Sequence, residues 1–341
     1  MARAAETKSD TKGRGSRAAG ARPAVSGWGA WGRALLGGAV MAVALGVGNA
    51  LGGRLARWLE LDGWARQLLP AVLVSGLAVG GVRALRSAGR RAGNGRLGAG
   101  PPAAAVRAFL GGLAVTVSCA ALVLGAGTAA GWVRWSGLDP AAFAAFLTGN
   151  ALVALLLEAL PEETTLRGQA WAALRGRFGG VLSALGTTGV FLLVPAASTV
   201  VQAGTARAVG GDPPAVGPTP AGQDPWAYLV LLTVFGMTLV AARTVPGRAP
   251  LWAAIGTHLA FLSVNRVVFE GRERAAGWSA SVAPAHAAVL ELGYLVLTAA
   301  VFVGARWWSG RTRGRAARRW AARASIPTST ARSAAPSGSS A

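Results

Sequence analysis

Eight apolar stretches, near residues 34–53, 67–85, 106–132, 141–161, 180–202, 226–245, 250–269 and 286–305, constrain this chain more than any other feature of its sequence. An α-helix rises about 1.5 Å per residue, so about twenty such residues cross the roughly 30 Å hydrocarbon core of a bilayer. Backbone N–H and C=O groups find no water there, and an isolated segment satisfies them only by becoming helical. The sequence therefore predicts an all-α fold, a polytopic membrane bundle of about eight transmembrane helices. Composition agrees, since 52% of the 341 residues are hydrophobic and only 14% are charged, against about 25% charged in a soluble domain. The first stretch follows a polar tail of more than thirty residues and lacks a small-residue cleavage site, so it is expected to be retained as a helix. The third is longer than a span needs and rich in glycine, which predicts a tilt or a break near Gly125 and Gly127.

The formal charge is +21, from 34 Lys and Arg against 13 Asp and Glu. On a soluble chain this excess would point to nucleic acid, but here long apolar stretches separate the basic residues and no nucleic-acid partner is expected. Eight spans place alternate connections on opposite sides of the membrane. With both tails inside, 26 of the 34 basic residues fall on the inner side, and the remaining eight are nearly balanced by seven acids. Cytoplasmic loops carry the excess of Lys and Arg, so both termini are predicted to be cytoplasmic. The expected location is a bacterial cell membrane, crossed several times.

The chain divides into a basic tail over 1–33, expected to be disordered, a helical bundle over 34–305, and a basic juxtamembrane segment with a disordered tail over 306–341. In the last of these, Trp307, Trp308 and Trp320 alternate with arginines directly after a span, a pattern suited to anionic lipid headgroups at the cytoplasmic face. The connection from Ala203 to Pro225 is expected to be an ordinary loop. Cys119, the single cysteine, lies in an apolar stretch and is expected to be a small buried thiol. Neither an intrachain disulfide nor a CxxC zinc site is available to it.

Ionisable groups inside a bilayer are costly unless paired, hydrated or functional, which makes the few present here informative. Glu158, Glu162, Glu163 and Arg167 cluster in EALPEETTLRGQ at the expected inner, cytoplasmic end of the fourth span. Helical spacing puts Glu158 and Glu162 on one face and Glu163 one turn before Arg167, with Pro161 a possible kink. One reading is an intrahelical Glu163–Arg167 ion pair at the membrane surface. The other is a carboxylate pair in which one member activates water while Arg167 orients its neighbour. His258, in the seventh span, is placed by the predicted topology in the same half of the bundle, where an imidazole and a carboxylate could share a water. Asn265 is expected to bond between helices, and His286 and Glu291 to cap or pair locally.

These residues resemble the CPBP family of intramembrane proteases, the CAAX-processing and bacteriocin-processing enzymes. In the segment PEETTLRG, Glu162 and Glu163 match the paired glutamates of its Glu-Glu-x-x-x-Arg motif, Arg167 the arginine, and Gly168 the glycine that follows. The family's Phe-x-x-x-His motif falls on Phe191 to Pro195, so proline stands where the histidine would be. In its third motif His258 matches, but Leu262 occupies the position four residues later, and the nearest amide is Asn265. The resemblance covers about residues 140–270.

That resemblance implies an endopeptidase that cleaves a peptide near the cytoplasmic membrane face, with Glu162 as general base, Glu163 and Arg167 as its partners and His258 as an electrophilic or orienting group. It leaves the cofactor open: one histidine and two glutamates complete a zinc set only with water in a further position. Proline offers neither a side-chain donor nor a ligand. A member that has lost hydrolysis and acts as a scaffold, chaperone or immunity-type binding protein is therefore the alternative, and an unrelated transporter with charges at broken helices is a third possibility.

Overall fold

The computed structural model describes residues 26–88, 97–219 and 223–324, with side chains to Thr312. Its eight long helices are α1 (Gly27–Trp58), α2 (Gly63–Ala88), α3 (Pro102–Ala129), α4 (Pro140–Arg175), α5 (Gly180–Ala208), α6 (Pro225–Arg243), α7 (Pro250–Val268) and α8 (Pro284–Ala324). Each is long and apolar enough to cross a membrane, and each coincides with one of the eight apolar stretches, three of which run one to three residues past the helix end. The expected tails beyond this range lie outside the described residues. Two helices run further than expected at the ends nearest the chain termini, α1 from Gly27 and α8 to Ala324. α3 is continuous through Gly125 and Gly127, so of the tilt or break expected there the break does not occur. With every i to i+4 bond available, glycine alone does not interrupt a helix in a solvent that offers no competing partner.

The most extensive pairings are α3 with α7, α1 with α5 and α1 with α2. Lipid tails are as apolar as the side chains, so helices associate through close packing rather than through hydrophobic exclusion. Gly112 and Gly256 make that possible between α3 and α7. A Cβ on Gly112 would sit 2.1 Å from the Ala253 carbonyl oxygen, and one on Gly256 2.1 Å from that of Phe109. Two strands not foreseen from the sequence, β1 (Val133–Trp135) and β2 (Ala280–Val282), pair antiparallel and join the α3–α4 and α7–α8 connections. Trp135 stacks on Trp278 beside them, with ring centroids 4.3 Å apart.

α4 is the helix that matters for chemistry, and its backbone is irregular. Asp139 caps it by accepting from the amides of Ala141 and Ala142. The ladder then widens to π-helix over Leu155–Ala159, returns to α over Leu160–Glu162, and widens again over Glu163–Ala170. Pro161, the expected kink, lies between these two wide stretches. Their physical consequence is a pair of carbonyls that need donors from outside the helix. The Leu160 amide donates to Leu155 O, five residues back. The next such donor would be Pro161, which has no N–H, and Ser75 of α2 donates its hydroxyl to Leu156 O instead. At the second stretch the Trp171 amide donates to Leu166 O. Where five-residue spacing returns to four, a carbonyl is skipped, and Arg167 O accepts from Arg243 Nε of α6 at 3.0 Å. π-Stretches of this kind are frequent at functional sites.

Candidate functional site

The second π-stretch turns Glu163 and Arg167 into the bundle, where both side chains are 0% exposed. Arg167 Nη1 donates to Glu163 Oε1 at 3.2 Å, and Nη2 reaches the Gly236 carbonyl of α6 at 3.4 Å. The guanidinium carbon stands 4.6 Å from the ring centre of Phe191 on α5, a cation–π contact strengthened by the absence of water. The ion pair of the first reading is therefore present, enclosed within the bundle. Removal of a charge from water costs several kcal/mol unless its partners are well placed, and here a carboxylate, a carbonyl and an aromatic face share that role.

α7 supplies the third group. His258, 2% exposed, places Nδ1 3.0 Å from Glu163 Oε1. A carboxylate can only accept, so Nδ1 donates and Nε2 is left facing outward. Nε2 is 4.0 Å from Glu162 Oε2, and the Glu162 side chain is 13% exposed. Phe235 of α6 packs edge-on against the imidazole at 4.8 Å and stacks on Phe261 at 4.1 Å, which fixes the ring. All four residues singled out from the sequence, Glu162, Glu163, Arg167 and His258, thus meet at one place. Glu163 is bound on both sides, while Glu162 and His258 Nε2 are turned toward open space.

That space is a cavity of about 610 Å³ lined by α1, α4, α5, α6, α7 and α8. Phe191 and Pro195 of α5 are on its wall, so proline does occupy the position facing the site. The α5–α6 connection, expected to be an ordinary loop, contributes Gly217, Thr219 and Gln223. Glu270 and Arg274, which pair with each other, lie after the end of α7. The cavity consequently opens toward the end of the bundle where α1 stops and α8 starts, opposite the end where α1 begins. That end carries the α5–α6 connection, which the predicted topology places on the side opposite both termini.

Further polar groups, not assembled by reading the sequence, complete the wall. Glu158 accepts from Arg266, whose other nitrogen donates to Asn150 Oδ1 at 3.1 Å. Asn265 donates to Glu291 and accepts from Tyr294 at 2.6 Å, bonding α7 to α8 as expected of an interhelical amide. His286 stacks on Trp132, away from the site. Arg243 is the notable omission: it is 8% exposed and donates to Leu97 O at 2.9 Å as well as to Arg167 O. Its guanidinium lies against Gly98, whose φ of +80° and lack of Cβ allow the approach. The sequence places Arg243 and Arg266 near the ends of spans, where they read as loop charges. Their isolation within otherwise apolar runs was the available signal. With Arg167, Arg243 and Arg266 removed from the count, the inner excess of basic residues persists.

As a metal site the donor set is incomplete. Among the described residues no three His, Cys, Asp or Glu side chains are arranged to hold an ion. Glu163 Oε1 is already shared by Arg167 and His258, which leaves Glu162 and His258 Nε2 as the outward-facing donors.

The fold and site define a class: a polytopic helical membrane protein with a carboxylate–guanidinium–imidazole cluster buried at the base of a cavity. A family model described as type II CAAX prenyl endopeptidase Rce1-like matches residues 144–264, the segment from α4 into α7 that builds this cluster. Over that segment the chain is similar to the CPBP, or CAAX protease, family of intramembrane proteases. No curated protein and no solved structure matches the chain.

Proposed function

We propose that this protein is an intramembrane endopeptidase in which Glu162 activates the attacking water. The observation that carries this reading is the 4.0 Å separation of Glu162 Oε2 and His258 Nε2 at the base of the cavity. It is too long for a direct hydrogen bond, and one water about 2.8 Å from each group spans it. Glu162 takes a proton from that water as its oxygen adds to the scissile carbonyl, whose π electrons move onto the carbonyl oxygen. Collapse of the tetrahedral adduct breaks the C–N bond, and Glu162 passes the proton to the departing amine. The products are a carboxylic acid and an amine.

Glu163 has a different task. Held by Arg167, it fixes the His258 tautomer so that Nε2 offers its lone pair to the water. The substrate is a peptide that enters by the mouth beside the α5–α6 connection, and lipid surrounds the bundle. Pro195 favours a second reading, in which hydrolysis has been lost and the cavity binds a polypeptide without cutting it. Purified protein in lipid vesicles, incubated with a library of membrane-anchored peptides, separates the two. Cleavage by the wild type and none by Glu162→Gln is expected; binding without cleavage by the wild type would establish the second reading.

A further inference from the structure

If Glu162 and His258 hold the water, the developing charge on the carbonyl oxygen still needs a donor, and Pro195 cannot supply one. Most polar groups on the cavity wall are already engaged. Ser198 and Thr199, on the Pro195 side, donate to the carbonyls of Pro195 and Ala196 within α5. Asn265 lies between Glu291 and Tyr294, and Arg266 is held by Glu158 and Asn150. Arg274 is paired with Glu270 at the rim.

Tyr228 is different. It lines the same cavity, is half-buried, and has no hydrogen-bond partner for its hydroxyl among the described residues. It sits on α6 seven residues before Phe235, so the two share a helix face, and Phe235 is the ring packed against His258. Glu158, Glu162 and His258 line the same cavity as Tyr228. A phenol is also chemically suited to the role: it is a neutral donor that stays protonated in neutral solution, needs no counter-charge, and is carried on a ring with little rotamer freedom.

We propose that the Tyr228 hydroxyl donates a hydrogen bond to the scissile carbonyl oxygen and stabilises the oxyanion, filling from α6 the role left open at Pro195 on α5. No bond to Tyr228 forms or breaks. Its proton stays on the phenol while the carbonyl oxygen gains and then returns the electron pair. This inference rests on the proteolytic reading above.

The test is Tyr228→Phe, which keeps the ring and removes one oxygen. With a peptide that the wild type cleaves, kcat is expected to fall about 10²–10³-fold, the loss typical of one oxyanion donor, while KM changes little. A peptide aldehyde, whose hydrated form mimics the adduct, should bind the variant correspondingly more weakly. Binding of the uncleaved peptide, measured in Glu162→Gln with and without Tyr228→Phe, should be unchanged, and thermal melting should show both variants folded. A wild-type enzyme that cleaves, with Tyr228→Phe within threefold of its kcat, would overturn the role of Tyr228 and leave the proteolytic reading intact. A fall in kcat matched by loss of uncleaved-peptide binding would make Tyr228 a ground-state contact and also overturn it. No cleavage by the wild type would sink both.

Discussion

His258 Nδ1 and Glu163 Oε1 lie 3.0 Å apart across 95 positions of sequence, and this contact divides the adjacent glutamates into two kinds. Glu163 is enclosed, shared by Arg167 and His258, whereas Glu162 faces the cavity. The neighbours therefore respond differently to the same substitution.

Glu162→Gln is expected to abolish turnover and leave the melting temperature within about 2 °C of wild type, since a partly exposed side chain away from structural bonds changes stability little. Glu163→Gln should destabilise the fold by about 3–5 kcal/mol, because it leaves Arg167 charged and buried without its counter-ion. Thermal unfolding in detergent beside a cleavage assay measures both. Equal stability of the two variants would contradict the division.

Pro195→His restores an imidazole to the cavity wall and returns an N–H to α5. Within the proteolytic reading, turnover should rise at least about tenfold, a fraction of the 10²–10⁴ a positioned acid or base supplies, and His258→Ala should abolish it in either background. Steady-state kinetics on one cleaved peptide decide this. A Pro195→His protein that folds and is slower than wild type would show that the wall is already fitted to proline.

Arg243→Ala removes the donor from two carbonyls, Arg167 O and Leu97 O. A buried acceptor left unpaired costs about 1–3 kcal/mol, so a marked fall in thermal stability is expected. Arg243→Lys, which keeps the charge but offers one nitrogen in place of the guanidinium fork, should recover only part of it. Full recovery by lysine would mean that charge and not the two-pronged geometry is what α6 contributes.

Cysteines placed at Gly247 and Pro218 should react with membrane-impermeant reagents from opposite sides, Gly247 from the cytoplasm and Pro218 from outside. The basic excess on the inner connections sets that direction, and Pro218 lies in the connection that flanks the cavity mouth. Labelling of Pro218 from the cytoplasm would reverse the bundle and make the mouth cytoplasmic.

The sequence by itself determined the eight spans, because the length and apolarity that commit a segment to a bilayer are properties of that segment alone. It also offered the Glu163–Arg167 pair as one of two readings, since residues four apart along a helix are neighbours on its surface. The π-stretches were not legible: they depend on donors from Ser75 on α2 and Arg243 on α6, which are remote in the chain. Nor could spacing show that His258 would choose Glu163 and face Glu162 only at 4.0 Å, that Arg266 would turn inward to Glu158, or that the cavity would open toward the α5–α6 connection. Each is a choice of partner between helices. In a medium without water, that choice is set by which polar groups the packing of whole helices brings within hydrogen-bonding distance.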